Sequence, residues 1–444
     1  MYLEVNMNGL VSPIPVRKSL SADALISIVY HEFQLIHDPK QFTTKKPASI
    51  SFTDVLMSGL SVFGLKFPSL LQYDQQRKIL DDNLKALYHV KHFPFDTYLR
   101  ERLDELEPKH IRPIFKKIFT EVQRGKCLEE FEFLDGHYLL ALDATGEFSS
   151  NAICCAQCCK KEHQNGPVTY YHQMLGACIV HPDKSTVIPL CPEVIQNEDG
   201  SIKNDCERNA TKRFIENFRR EHPHLKAIIL GYGINSNAPY IRILEENNLK
   251  YILVAKPGDH QFLFEAIEKS DNEQYYEVRD DKGFLHQFRF VNGVALNKSN
   301  PNVRVNFVEY MQTDPKGKEL RFSWVTNICI TSENVFVLMR GGRARWKIEN
   351  ETFNTLKNLE YNFEHNYGHG KKYISTNLCL LMMIAFLIDQ VQAIACRLFQ
   401  TIRKRLGDFR VLCETIRVLI QYMTFESWED LYRRIAVRYQ LNIS

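Results

Sequence analysis

The run YLLALDATG at residues 138–146 is an apolar stretch that ends on one acid, Asp143. A buried strand delivering a carboxylate to its C-terminal end, followed by a small-residue turn, is a common way for an α/β fold to present an acid to a metal or ligand. Taken alone, such an acid is as well explained by an ordinary strand end. The densest cysteine group follows at once, with Cys154, Cys155, Cys158 and Cys159 ahead of His163. Cys155-x2-Cys158 with Cys159-x3-His163 has zinc-ligand spacing, so those four are the candidate zinc set. Reduced thiols packing a loop are the alternative, and no second, distant CxxC strengthens the metal reading. Arg345 and Glu349 lie four apart in a helical stretch and share a face, as a surface ion pair or as part of a site.

The elements that would position these residues follow from periodicity. Residues 22–33 carry one helical pattern, and a polar stretch ending in TTKKP comes after it. From residue 51 to 123 the spacing is helical: SFTDV opens with capping residues, and 77–89 and 96–122 repeat apolar residues at i, i+3, i+4, broken by Pro94, Pro108 and Pro113. The period then changes. Strands are expected at 137–143, 170–181 and 185–189, a helix at 204–221, a strand at 227–230, a helix at 240–247 and a strand at 251–255. Four β segments follow between 275 and 330, then helices at 345–357, 375–400 and 410–439. There is no internal repeat.

Composition bounds the classes. The chain has 444 residues, 44% hydrophobic and 25% charged, which is ordinary globular material with room for more than one domain. A net charge of +3 does not by itself announce nucleic acid, so any such surface has to come from local clustering. The start MYLEVNMNGLVSP lacks the basic and apolar regions of a signal peptide. The longest apolar run, 378–388, stops at Asp389 and is too short to span a bilayer, so it is expected to be a buried core helix. With twelve cysteines and no secretory signal, reduced thiols in a cytoplasm are expected, and no membrane partner.

A three-strand meander, a helix, a fourth strand and a late helix carrying an acid is the order of a ribonuclease-H-like fold. There the first and fourth strands each end on a carboxylate and the late helix brings a third, so that three acids converge on two magnesium ions. The segments LDATGEFSSN, NGPVTYYHQMLGACIVHPDKSTVIPLCPE, KNDCERNATKR, REHPHLK, NSNAPYI, AKPGDHQFLF and RARWKIENETFNTLKN occur in that order. Together they resemble the DDE transposases of bacterial insertion sequences, in the subgroup with a β-rich insertion before the last acid, over roughly residues 80 to 400. The resemblance implies that Asp143 is the first acid and Glu349 the last, both magnesium ligands, with Arg345 orienting Glu349 or a phosphate and Trp346 packing its helix. It departs at the second acid, where LGYGINSNAP puts Tyr232. A phenol is neutral at pH 7 and a poor magnesium ligand. Of the nearby acids, Asp205 suits a helix cap and Asp259 a turn, and neither they nor Glu193 or Glu207 is expected to replace the missing one. The family's helix signature also wants Tyr at 342 and Lys at 356, where Gly342 and Leu356 stand, with Lys357 one place late.

The expected fold is therefore α/β: a ribonuclease-H-like core with a β-rich insertion, flanked by helical N- and C-terminal regions. The expected divisions are a helical DNA-binding region (1–130), the first part of the core (131–260), the insertion (261–335), the core completion with the last-acid helix (336–400) and a helical C-terminal region (401–444). The implied reaction is cleavage at element ends and strand transfer into target DNA, with two magnesium ions for which manganese can substitute, by a homodimer that synapses double-stranded DNA. An inactive transposase-derived DNA-binding protein and a metal-dependent nuclease on the same fold are the alternatives. Basic residues at Lys109, Arg112, Lys116 and Lys117, at Lys212, Arg213, Arg219 and Arg220, at Arg340, Arg343 and Lys347, at Lys371 and Lys372, and at 403–405 are either solvated faces or phosphate contacts.

Overall fold

The computed structural model describes residues 18–42, 50–164, 166–197, 206–233 and 236–441. The TTKKP stretch, the N-terminal segment and the expected cap Asp205 lie outside the described residues.

Five helices come first: α1 (Ala22–Gln34), α2 (Phe52–Gly64), α3 (Leu70–Tyr88), α4 (Asp96–Asp104) and α5 (Arg112–Arg124). The hydroxyls of Ser21, Ser51 and Ser69 start the first three by accepting from the backbone N–H of Ala24, Asp54 and Gln72. The prolines divide the later part as their chemistry requires, with Pro113 in the first turn of α5 where no donor is lost.

The sheet follows, with β1 (Glu132–Leu134), β2 (His137–Ser150), β3 (Cys159–Lys161), β4 (Thr169–Val180), β5 (Ile188–Pro189) and β6 (Glu193–Ile195). Then α6 (Glu207–Glu221), β7 (Ala227–Gly231), α7 (Ala238–Glu246) and β8 (Lys250–Val254) alternate. β2 and β4 form an antiparallel hairpin, β5 and β6 pair back onto β4, and α6 and α7 return the chain so that β7 runs parallel to β2 and β8 parallel to β7. The spatial order β4–β2–β7–β8 with those directions is the ribonuclease-H-like arrangement. β7 is buried along its length because it is central and covered on both faces.

After α8 (Gln261–Glu268) come β9 (Gln274–Arg279), β10 (Leu285–Asn297), β11 (Asn300–Thr313) and β12 (Glu319–Thr326), an antiparallel meander. β12 pairs with β8 from Trp324↔Val254 to Thr326↔Ile252, so the insertion prolongs the core sheet and covers an edge that would otherwise be open. The chain then enters α9 (Val335–Arg343), a π-helical turn at Ile348–Phe353 and α10 (Asn354–Asn358), and ends in α11 (Ile374–Ala395), α12 (Arg397–Leu406), α13 (Phe409–Tyr422) and α14 (Trp428–Arg438).

At 22 residues, α11 is long and apolar enough to cross a membrane, which corrects the shorter apolar stretch expected from sequence. In this fold residues 378–388 are all buried, and α11 packs on α2, α4 and α12. Its polar groups are used inside the protein. Asn377 donates to the carbonyls of Leu103 and Leu106, Gln392 to that of Leu20, and Asp389 pairs with Lys66 at 2.6 Å.

Candidate active site and a cysteine–histidine cluster

β2 does not end at Asp143, as its sequence suggested; it continues to Ser150 because β4 keeps pairing with it, Asp143 opposite Gly176. What ends is the other neighbour. The parallel pairing with β7 stops at Ala141↔Leu230, and β7 itself stops at Gly231. Asp143 therefore projects where the sheet opens on one side, and Tyr232 leaves β7 beside it. The third wall is the π-helical turn, which approaches closely because Gly176 has no side chain: a Cβ there would lie 2.8 Å from the Phe353 ring. Turns of this kind recur at functional sites.

The four expected residues are brought together. Arg345 Nη1 lies 2.8 Å from Glu349 Oε1 and 3.9 Å from Asp143 Oδ2. The Tyr232 hydroxyl donates to the same Glu349 Oε1 at 2.5 Å, and the Arg345 guanidinium stacks 3.7 Å above the Tyr232 ring. The Arg345 side chain is only 4% exposed, so this cation is held inside the cluster. Burial, then the Glu349 charge, push the Asp143 carboxyl up to about 7 against the opposing pull of Arg345. Burial and the bond to Glu349 push the Tyr232 phenol up to about 12, so it stays a neutral donor.

This donor set does not fit a two-magnesium centre. Magnesium wants near-octahedral oxygen ligands, with carboxylates among them. Here one carboxylate oxygen of Glu349 is already shared by a hydroxyl and a guanidinium, and Arg345 spans the space between the two acids. The position where the family has its second acid supplies a proton donor.

Glu207 was one of the nearby acids weighed from sequence and not expected to replace the missing one. It opens α6, and its charge contributes to raising Asp143. Glu193 instead holds Arg112 at 3.0 Å, and Asp259 lies in a turn beside Gly233. Trp346, expected to pack its helix, is 50% exposed. Gly342 fits its place because a Cβ there would be 2.6 Å from the Trp324 indole, so the signature tyrosine has no room. Leu356 is buried and Lys357 pairs with Glu364 at 2.8 Å, so neither provides a lysine to the site.

The structure does not bring the expected zinc set together as a whole. Cys155 and Cys158 converge, but with His172 of β4 and His369 of the loop before α11, all four ligand atoms lying within 4.8 Å of one another. Cys159 turns away because it sits on β3, its thiol facing the Ile195 carbonyl at 3.8 Å, and His163 is exposed and bonded to Thr169 at 3.0 Å. The hydrogen bond with Cys158, joined by those from His172 and His369, holds the Cys155 thiol far below its usual range. A Cys/His cluster capable of chelating a metal ion is therefore present, with a ligand that the sequence places 211 residues beyond Cys158.

Many of the basic residues serve the fold. Arg213 and Arg219 bond backbone carbonyls, Arg112 joins Glu193 and Glu221, Lys117 meets Glu32, Arg340 meets Asp183 and Lys372 meets Glu105.

No protein-family model matches the chain, and no curated protein matches it. Among solved structures the chain is similar to the piggyBac transposase in its synaptic complex with hairpin DNA. The two are 12% identical, the match covers 97% of this chain and 84% of that one, and the TM-score is 0.44.

Proposed function

We propose that the chain is a DNA-binding protein of the DDE transposase type, akin to the insertion-sequence transposases its segments resemble, with its strand-cleaving centre disabled at the second acid. The observation that carries this reading is the closed cluster in which Arg345 and Tyr232 both bond Glu349 while Arg345 faces Asp143. The ribonuclease-H-like order of β4, β2, β7 and β8 supports the lineage, because it gives the two acids their shared corner. In an intact member these acids would hold magnesium, which supplies the activation of water and of the 3′-hydroxyl. With a phenol and a guanidinium in the metal positions, the remaining role is to bind duplex DNA, as a dimer if the lineage holds. Lys161, Lys212, Arg343 and Lys371 are exposed for phosphate contact.

The test uses a duplex carrying an end of the element that encodes the chain. The wild type is expected to retard it in a gel without added metal, with affinity falling as salt rises, and to leave it uncut in Mg²⁺ or Mn²⁺. Robust cleavage overturns the inactive reading, and failure to bind overturns the DNA assignment.

A further inference from the structure

We infer that Cys155, Cys158, His172 and His369 form a structural zinc site that ties the loop after the Glu349 segment to the hairpin carrying Asp143. The inference is independent of whether the acid cluster cuts DNA.

Four of the six edges between the ligand atoms have the length a tetrahedral site requires, and all six are within 4.8 Å. Sγ of Cys155 and Sγ of Cys158 are 3.8 Å apart, and Nε2 of His172 lies 3.3 Å from the first and 3.4 Å from the second. Nε2 of His369 lies 3.4 Å from Cys158 Sγ. A tetrahedral zinc with Zn–S of about 2.3 Å and Zn–N of about 2.0–2.1 Å gives edges of roughly 3.8 Å between sulfurs and roughly 3.6 Å between sulfur and nitrogen. The observed edges agree to within a few tenths of an ångström. A disulfide does not explain them, because bonded sulfurs are about 2.0 Å apart.

Packing alone explains them poorly. Both imidazoles aim Nε2 inward at the thiols and leave Nδ1 buried without a protein partner. His369 is fixed in that pose by stacking on Phe148, with ring centroids 4.2 Å apart. Two soft sulfurs and two imidazoles select zinc over magnesium, and four protein ligands leave no open position for substrate, so the site is structural.

The site has a consequence for the acid cluster. Phe148 and His172 face each other on β2 and β4, farther along the same hairpin as the Asp143↔Gly176 pair. His369 lies after α10, on the segment that follows Glu349. One ion would thus join two parts of the chain that each carry an acid.

The full-length protein, purified without added metal, is expected to contain one zinc per chain by elemental analysis. Exchange for Co²⁺ is expected to give the visible bands of tetrahedral cobalt together with thiolate-to-cobalt charge transfer. Cys158→Ser and His369→Ala are expected to lose the metal, while Cys159→Ser and His163→Ala keep it. Wild-type protein with no zinc and no tetrahedral cobalt spectrum overturns the proposal, and this needs no variant to fold. Loss of metal in Cys159→Ser with retention in His369→Ala overturns the ligand assignment.

Discussion

Glu349 Oε1 accepts from both Tyr232 and Arg345, and that one atom decides what the cluster can do. Both donors compete with a metal for that oxygen, and Asp143 beside it is pushed up to about 7 and so holds a proton over much of the range below neutrality. The sign of the linkage follows: a carboxyl raised from 3.8 favours the folded state below about pH 4, and that advantage is lost as pH rises through about 7. Asp143 therefore lowers the melting temperature at pH 8 relative to pH 5, whereas the buried His222, pushed down to about 4, acts in the opposite sense. Asp143→Asn is expected to raise the melting temperature at pH 8 relative to that at pH 5, compared with the wild type, and an unchanged pH dependence in melting scans would contradict the assignment. Type and motif singled out Asp143 and Glu349 in the sequence, and the fold places both beside Arg345. Residues were not legible where the signal is purely spatial: nothing in a single sequence joins Cys158 to His369, and nothing distinguishes Glu207 from any acid at the start of a helix.

The elements were legible through their periods, two in the strands and near four in the helices; α1 was placed closely, but α3 begins at Leu70 rather than 77, and the expected helix at 410–439 is two, α13 and α14. The ends were not, because they depend on neighbours. β2 extends to Ser150 only because β4 is there to pair with it, and β5 is a two-residue remnant of the expected third strand. The turn carrying Glu349 depends likewise on what faces it, since Gly176 admits Phe353 and Gly342 admits Trp324. Gly342→Tyr, which would restore the signature residue, is expected to destabilise the protein by about 1–3 kcal/mol through overpacking against Trp324. Urea denaturation followed by tryptophan fluorescence measures it, and a variant as stable as the wild type would show that the segment can move away from β12.

The whole molecule joins its two ends through α11, which lies against the N-terminal helices while the acid-bearing segment precedes it in sequence. Its apolar run was legible as core, but its full length and its partners were not, since polar side chains at 377 and 392 look like interruptions until their acceptors on α4 and before α1 are seen. Asn377→Leu should leave the buried carbonyl of Leu106 without its donor, at about 1–3 kcal/mol before relaxation, while that of Leu103 keeps the backbone N–H of Leu106. The urea midpoint should fall accordingly, and no change would mean that the helix docks by apolar contact alone. The insertion was legible as four strands, but not its fusion to β8, which makes one continuous sheet of core and insertion. The central claim is that this assembled fold lacks catalysis for want of one acid beside Asp143 and Glu349. Its most direct test is Mg²⁺-dependent cleavage of end-bearing duplex by the wild type and by Tyr232→Asp at matched DNA binding. The expected result is no cleavage by the wild type and a clear gain in the variant that Glu349→Gln then removes; cleavage by the wild type, or a variant that binds and still does not cut, would contradict it.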